Sequence, residues 1–379
     1  MRWIGLAATL VGCLALMSAS KVTAQGQTGA IILRPGEPLR GPVAVPVPPP
    51  KPNLAPAILT PFRGTILLRR ESGWFIVRGG EKSARLLLRD AFSASLAPDA
   101  HGIAYFKDQQ MHLLKLKDDA EPESDTVLEQ LPGARVEDIG WSPDGTMLAY
   151  DVHGKTNGGI HVLSLADHTV RRVSGSAGSI SFSPDGTSLL GTDARGVIRF
   201  RLSNASSDLV YDAEFPPNWG ARFSPSGSVG VLTAVPQPPS DAADDEPDCR
   251  GAQLQLDIVE PAGRAWTIPF PSGFDNVYDF NFSPDGQQVL VGFGTVGCDY
   301  PGDSGAVFLI SLADRSSRRL TPDGVALKGR FSPDGQQVAY TDFTAAQSPS
   351  VFILDLATGK TSPLVGADES GMDEIVDWR

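Results

Sequence analysis

A five-residue phrase, Phe-Ser-Pro-Asp-Gly, recurs at Phe182 to Gly186, Phe282 to Gly286 and Phe331 to Gly335, and as Trp-Ser-Pro-Asp-Gly at Trp141 to Gly145. Two weaker copies, Phe223 to Gly227 and Leu96 to Asp99, extend the series, and Asp377-Trp378-Arg379 begins one more. Measured at the lead residue, the spacings are 45, 41, 41, 59, 49 and 47. A repeat of that length restricts the chain to a propeller or a solenoid, because a unit so short buries its apolar surface only against its neighbours.

The pattern inside each copy decides between the two. Two residues before the lead stand Ala94, Ile139, Ile180, Ala221, Phe280, Gly329 and Val376; one residue before it stand Ser95, Gly140, Ser181, Arg222, Asn281, Arg330 and Asp377. This alternation of apolar or glycine with mostly polar residues predicts a strand. In the tetrapeptide that follows, Pro presets φ, Asp bonds back to the backbone and Gly accepts positive φ, so a tight turn is expected. Further strands are predicted at Met147 to Val152 and Ile160 to Leu165, then a shorter fourth such as Val170 to Val173. Four short antiparallel strands without helical periodicity describe a propeller blade. Asp144, Asp185, Asp285 and Asp334 are therefore assigned to the turns. The lead residues Trp141, Phe182, Phe223, Phe282, Phe331 and Trp378 are assigned to the structural repeat, with Trp141 and Trp378 packed between blades.

The Trp/Phe-Ser-Pro-Asp-Gly turn followed by a strand such as Leu148-Ala149-Tyr150 resembles the WD-repeat-like unit of the TolB family of bacterial envelope propellers, over residues 62 to 379. The resemblance implies a propeller fold; for function it implies little, since propellers host unrelated chemistries and pure binding roles. The chain departs from TolB proper in having a proline-rich segment where that family resembles a globular α/β domain.

Six repeats are complete. Glu374 to Trp378 matches a first strand, and Thr65 to Arg69, Trp74 to Arg78 and Ala84 to Leu88 supply its missing companions. The fold expected is an all-β, seven-bladed propeller of four-stranded antiparallel blades, its closing blade composed of N- and C-terminal strands, which removes exposed sheet edges.

Residues 1 to 24 have the form of an export signal, with Arg2, an apolar run from Ile4 to Met17 and the small-residue site Val22-Thr23-Ala24. A rival assignment takes Leu10-Val11-Gly12-Cys13 as a lipoprotein box, with a lipid anchor on Cys13. No other apolar run is long enough to span a membrane as a helix. Residues 25 to 61 carry ten prolines, among them Pro46, Pro48, Pro49, Pro50 and Pro52, and are expected to be an extended tether rather than folded structure. The expectation is a periplasmic or secreted monomer. Loss of Arg2 and Lys21 with the signal takes the net charge from −12 to −14, which disfavours nucleic acid as a partner.

Two repeats carry extra length between second and third strands. One insertion, about Pro236 to Gly251, holds Asp241, Asp244, Asp245, Glu246, Asp248 and Cys249; the other, Gly294 to Gly305, holds Cys298, Asp299 and Asp303. With Cys13 removed, an exported chain with one cysteine in each insertion is expected to form a Cys249–Cys298 disulfide. The acidic residues are the candidate surface for a protein partner in the envelope. They lack the residue order of an EF-hand loop, and a calcium site shared between the insertions is the alternative.

Chemistry is sparse. Gly302-Asp303-Ser304-Gly305 lacks the His and Asp motifs a serine protease requires, and the five histidines show no metal-binding spacing. No cofactor is expected. The function expected is a non-catalytic binding or scaffolding module. An enzyme or small-ligand receptor working in the central channel is the alternative, with Glu137, Asp138, Asp279, Lys328, Asp373 and Glu374 as its candidate residues.

Overall fold

The computed structural model describes residues 62–379 except 82, 156–157, 175–179, 194, 213–219, 236–252, 296–303, 323, 325, 344–349 and 365–373. Of the two units into which the chain divides, Met1–Leu54 and Ala55–Arg379, all described residues belong to the second. Among them no helix is long and apolar enough to cross a membrane.

The strands form seven antiparallel sheets of four, each a blade. The first strands of blades 2 to 7 are Ser93–Leu96, Arg135–Trp141, Ser181–Phe182, Ala221–Phe223, Asn276–Phe282 and Ala326–Phe331. Blade 1 takes its first strand from the other end of the chain: Glu374–Trp378 pairs with Thr65–Arg70, placing Trp378 opposite Ile66 and Glu374 opposite Arg69. This is the composite blade expected from the repeat count.

Seven apolar clusters hold the ring together, one at each junction between blades. Leu68, Phe75 and Trp378 of blade 1 meet Val351 and Ile353 of blade 7; Leu232 and Ile258 of blade 5 meet Phe280, Phe293 and Phe308 of blade 6. Both faces of a blade are thus buried, which explains why the second and third strands read as nearly unbroken apolar runs, such as Leu148-Ala149-Tyr150 and Ala306-Val307-Phe308-Leu309-Ile310.

The turn is more closely built than its Pro-Asp-Gly suggests. Ser142, fully buried, accepts a hydrogen bond from the Met147 N–H at 2.9 Å through Oγ and donates to Asp144 Oδ1 at 2.6 Å. That same carboxylate oxygen accepts from the N–H and hydroxyl of Thr146, and Gly145 closes the turn at φ +71°. Ser183, Ser283 and Ser332 repeat the arrangement with Asp185, Asp285 and Asp334. The serine bonds, then those from the following N–H, hold these carboxyls below their usual range. One expectation fails: the fourth strand of blade 2, Pro122–Gln130, is nine residues long rather than short. It is almost wholly exposed, so it shows little of the apolar periodicity by which strands are found in a sequence.

Candidate functional site

A cavity of about 640 Å³ opens at the end of the ring where the Ser-Pro-Asp-Gly turns lie, and every blade contributes to its wall. The polar residues preceding the leads, Ser95, Ser181, Arg222, Asn281, Arg330 and Asp377, all reach it, as does Asp138. Lead aromatics and turn prolines, including Trp141, Phe223, Phe331, Pro143 and Pro284, form the rest of the lining.

First strands of neighbouring blades do not pair with one another, so their inward edges present backbone groups that need partners. Side chains supply them at every junction. Asp377 Oδ2 accepts from the Leu96 N–H at 2.9 Å and from Ser95 Oγ at 3.2 Å, joining blades 1 and 2. Trp141 Nε1 donates to the Ser95 carbonyl at 3.2 Å, joining 2 and 3. Asp138 Oδ2 accepts from the Ile180 N–H at 3.0 Å, and Ser181 Oγ from the Phe223 N–H at 3.0 Å, carrying the chain of staples to blade 5. Arg222 Nη1 reaches Asp279 Oδ1 at 3.1 Å and the Phe280 carbonyl, with its guanidinium 5.0 Å from the centre of the Phe280 ring. Arg330 closes the circuit, donating through Nη1 to Asp279 Oδ2 at 2.5 Å and through Nε to the Val376 carbonyl at 2.9 Å. Lys328 adds a bond to Glu374 at 2.5 Å.

The electrostatics follow from these contacts. Burial alone would raise the Asp279 carboxyl, but Arg330, Arg222 and Lys328 overcome it and hold the group down at about 2. Asp138 goes the other way: burial raises it, and the Ile180 N–H and Arg222 only partly offset that. Arg330, largely buried, is raised by Asp279 beside it.

Of the channel candidates named from sequence, Asp138, Asp279, Lys328 and Glu374 thus belong to one network. Glu137 turns away from it to Arg135 at 3.3 Å and His153 at 3.7 Å, where His153 also meets Asp151 at 3.0 Å. Burial lifts Asp151 to about 7, against the pull of His153. Arg222, Arg330 and Asp377, the groups that complete the network, were visible in the sequence only as polar residues before the lead. Their regular offset was the signal that could have marked them as channel-facing. Trp378 is 5% exposed, stacked edge-on against Phe62 at 5.9 Å, with Nε1 bonded to the Arg63 carbonyl at 2.8 Å. Trp141 is only half-buried and packs between blades while also facing the cavity.

Asp373, Cys249, Cys298 and the acidic residues Asp241, Asp244, Asp245, Glu246, Asp248, Asp299 and Asp303 lie outside the described residues. Among the described residues no group of three or more His, Cys, Asp or Glu is arranged to hold a metal ion.

No family model matches the chain, and no curated protein is significantly similar to it in sequence. Solved structures are similar in fold. An oligogalacturonate lyase in complex with manganese is 14% identical at a TM-score of 0.55, over 80% of this chain and 86% of that one. The oligogalacturonate lyase of Vibrio parahaemolyticus is 13% identical at 0.56 over the same shares. TolB from Acinetobacter baumannii is 15% identical at 0.48, over 79% of this chain and 77% of that one. At such identities what this chain shares with the two lyases is the propeller fold.

Proposed function

We propose that this protein is a non-catalytic, exported propeller that binds or organises protein partners in the bacterial envelope. The observation that carries the proposal is the ring of staples: the carboxylates, arginines and lysine that a channel enzyme would present to substrate are engaged in joining blade to blade. Asp279 lies between two guanidiniums, Asp138 and Asp377 hold backbone N–H groups, and Lys328 holds Glu374. A rigid ring with a broad aromatic and proline-rich mouth suits recognition of a surface or an extended segment, where hot spots are aromatic residues and arginine.

Two surfaces are in play, the mouth and the acidic insertions that enter after Ala234 and Gly294. In-cell crosslinking and capture from envelope fractions tests the proposal, and shortening each insertion to the length found in blades 3 and 4 separates the surfaces. Partners lost with the insertions put recognition there; partners retained at unchanged yield put it on the turn end. No specific partner in crosslinked envelopes, or a metal carried through purification together with turnover of a small substrate, would sink the proposal in favour of a channel enzyme.

A further inference from the structure

A second cavity, of about 280 Å³, lies between blades 2 and 3 and shares Trp141 with the channel mouth. Beside it blade 2 breaks the repeat. Ala97 stands where the turns of blades 3 to 7 have a serine, and Gly102 stands where blades 3, 6 and 7 have Met147, Gln288 and Gln337, two residues past the turn. Blades 1, 4 and 5 have Thr65, Ser188 and Ser228 at the equivalent position, so blade 2 alone has no side chain there. Gly102 is not held by its backbone, as its φ lies outside the left-handed region, and a Cβ on it would make ordinary contacts of 3.4 Å to Leu113 and 3.5 Å to Ala97. Neither folding of the turn nor local crowding therefore requires glycine at this position.

The walls are Leu113, Leu165 and Trp141, and the rim carries Asp99 and Glu123, with Lys115 and His101 beside them. Asp118, 4.0 Å from His101, adds another negative charge. The cavity lies at the lower edge of the roughly 300–1,000 Å³ common for small-molecule sites and is large enough to take one long side chain. Apolar walls with a half-buried indole between them, under a rim where Asp99 and Glu123 outweigh Lys115, suit an aliphatic stem ending in a delocalised cation.

We infer that the groove between blades 2 and 3 receives an arginine side chain from an extended basic segment of a protein partner. This rests on the binding-module function proposed above and names the chemistry of its ligand. Its stem lies against Leu113, Leu165 and Trp141, and its guanidinium meets Asp99 and Glu123.

The test uses the whole protein and a fluorescently labelled hexa-arginine peptide, followed by anisotropy at low salt. Gly102→Gln restores the side chain of blades 6 and 7 and changes no charge. It should weaken binding about tenfold, the worth of one good buried contact, with the melting midpoint little changed. Equal affinity in this variant overturns the inference, because it would leave only general attraction to an acidic surface. Should Gly102→Gln melt early, the exposed pair Asp99→Asn and Glu123→Gln carries the test: it must weaken binding more than Glu260→Gln with Asp314→Asn, on the outer turns of blades 5 and 6. Equal losses from the two pairs also overturn it. The assay needs no partner from the cell, so its failure leaves the envelope capture to decide the binding-module function, and an empty capture leaves the groove result standing.

Discussion

Replacing Asp279 by Asn tests whether the channel network is a structural staple. The side chain is about a tenth exposed and lies between Arg330, also largely buried, and Arg222, which is 39% exposed. Breaking a buried ion pair costs about 3–5 kcal/mol because the remaining charge is left uncompensated. An exposed pair contributes about 0–1 kcal/mol, so nearly all of the effect belongs to Arg330 and the Arg222 contact is discounted. The loss expected is about 3 kcal/mol, which for a domain of this size lowers the melting midpoint by roughly 4–5 °C. The same ion pair also carries a pH dependence. The folded carboxyl titrates at about 2, below its unfolded value, so its contribution is present above that unfolded value and disappears as pH falls through about 2. A depression of that size contributes about 2 kcal/mol, consistent with the first figure. Urea unfolding of wild type and Asp279→Asn at pH 6 and at several values below 4 should show the gap closing on acidification. A gap under 1 kcal/mol at pH 6, or one indifferent to pH, would refute the reasoning and describe a hydrated channel with no structural ion pair. A double-mutant cycle with Arg330→Gln should return a coupling of about 2 kcal/mol, since the two side chains touch.

Deleting residues 374–379 removes the buried Ile375 and Trp378 together with the pairing to Thr65–Arg70, a loss of about 5 kcal/mol or more that rivals the net stability of a domain; a cooperative melt like that of the full chain would contradict the composite blade. Chains beginning at Pro52 should melt within a degree or two of the full length, and a drop of several degrees would mean that the proline-rich segment packs on the ring. Ser142→Ala strands the half-buried Met147 N–H and should cost about 1–3 kcal/mol by urea unfolding, whereas Ala97→Ser, in the blade that lacks this serine, should cost far less. Mass spectrometry of the native protein without reduction should find Cys249 and Cys298 linked, and two free thiols would exclude the bridge.

The sequence by itself determined the blade and the number of blades. Ser, Pro, Asp and Gly act within five residues of one another, so their chemistry writes the same turn wherever they recur, and the distance between copies measures the unit that must be closed into a ring. It also showed that polar residues alternate with apolar ones before each lead. What those polar residues do was decided only in three dimensions. Arg222 meets Asp279 57 residues away, and Arg330 meets it from the other side across 51, contacts that depend on seven blades closing at one radius and on nothing local to either residue. The same holds for the groove beside Trp141. A glycine in place of Met147, Gln288 or Gln337 is plain in the sequence, but the cavity beside it forms only when two blades pack. Turn chemistry is short-ranged and repeats with the sequence, whereas the ring's inner surface is assembled from residues that meet only after closure, so its pairings and its gaps belong to the tertiary structure.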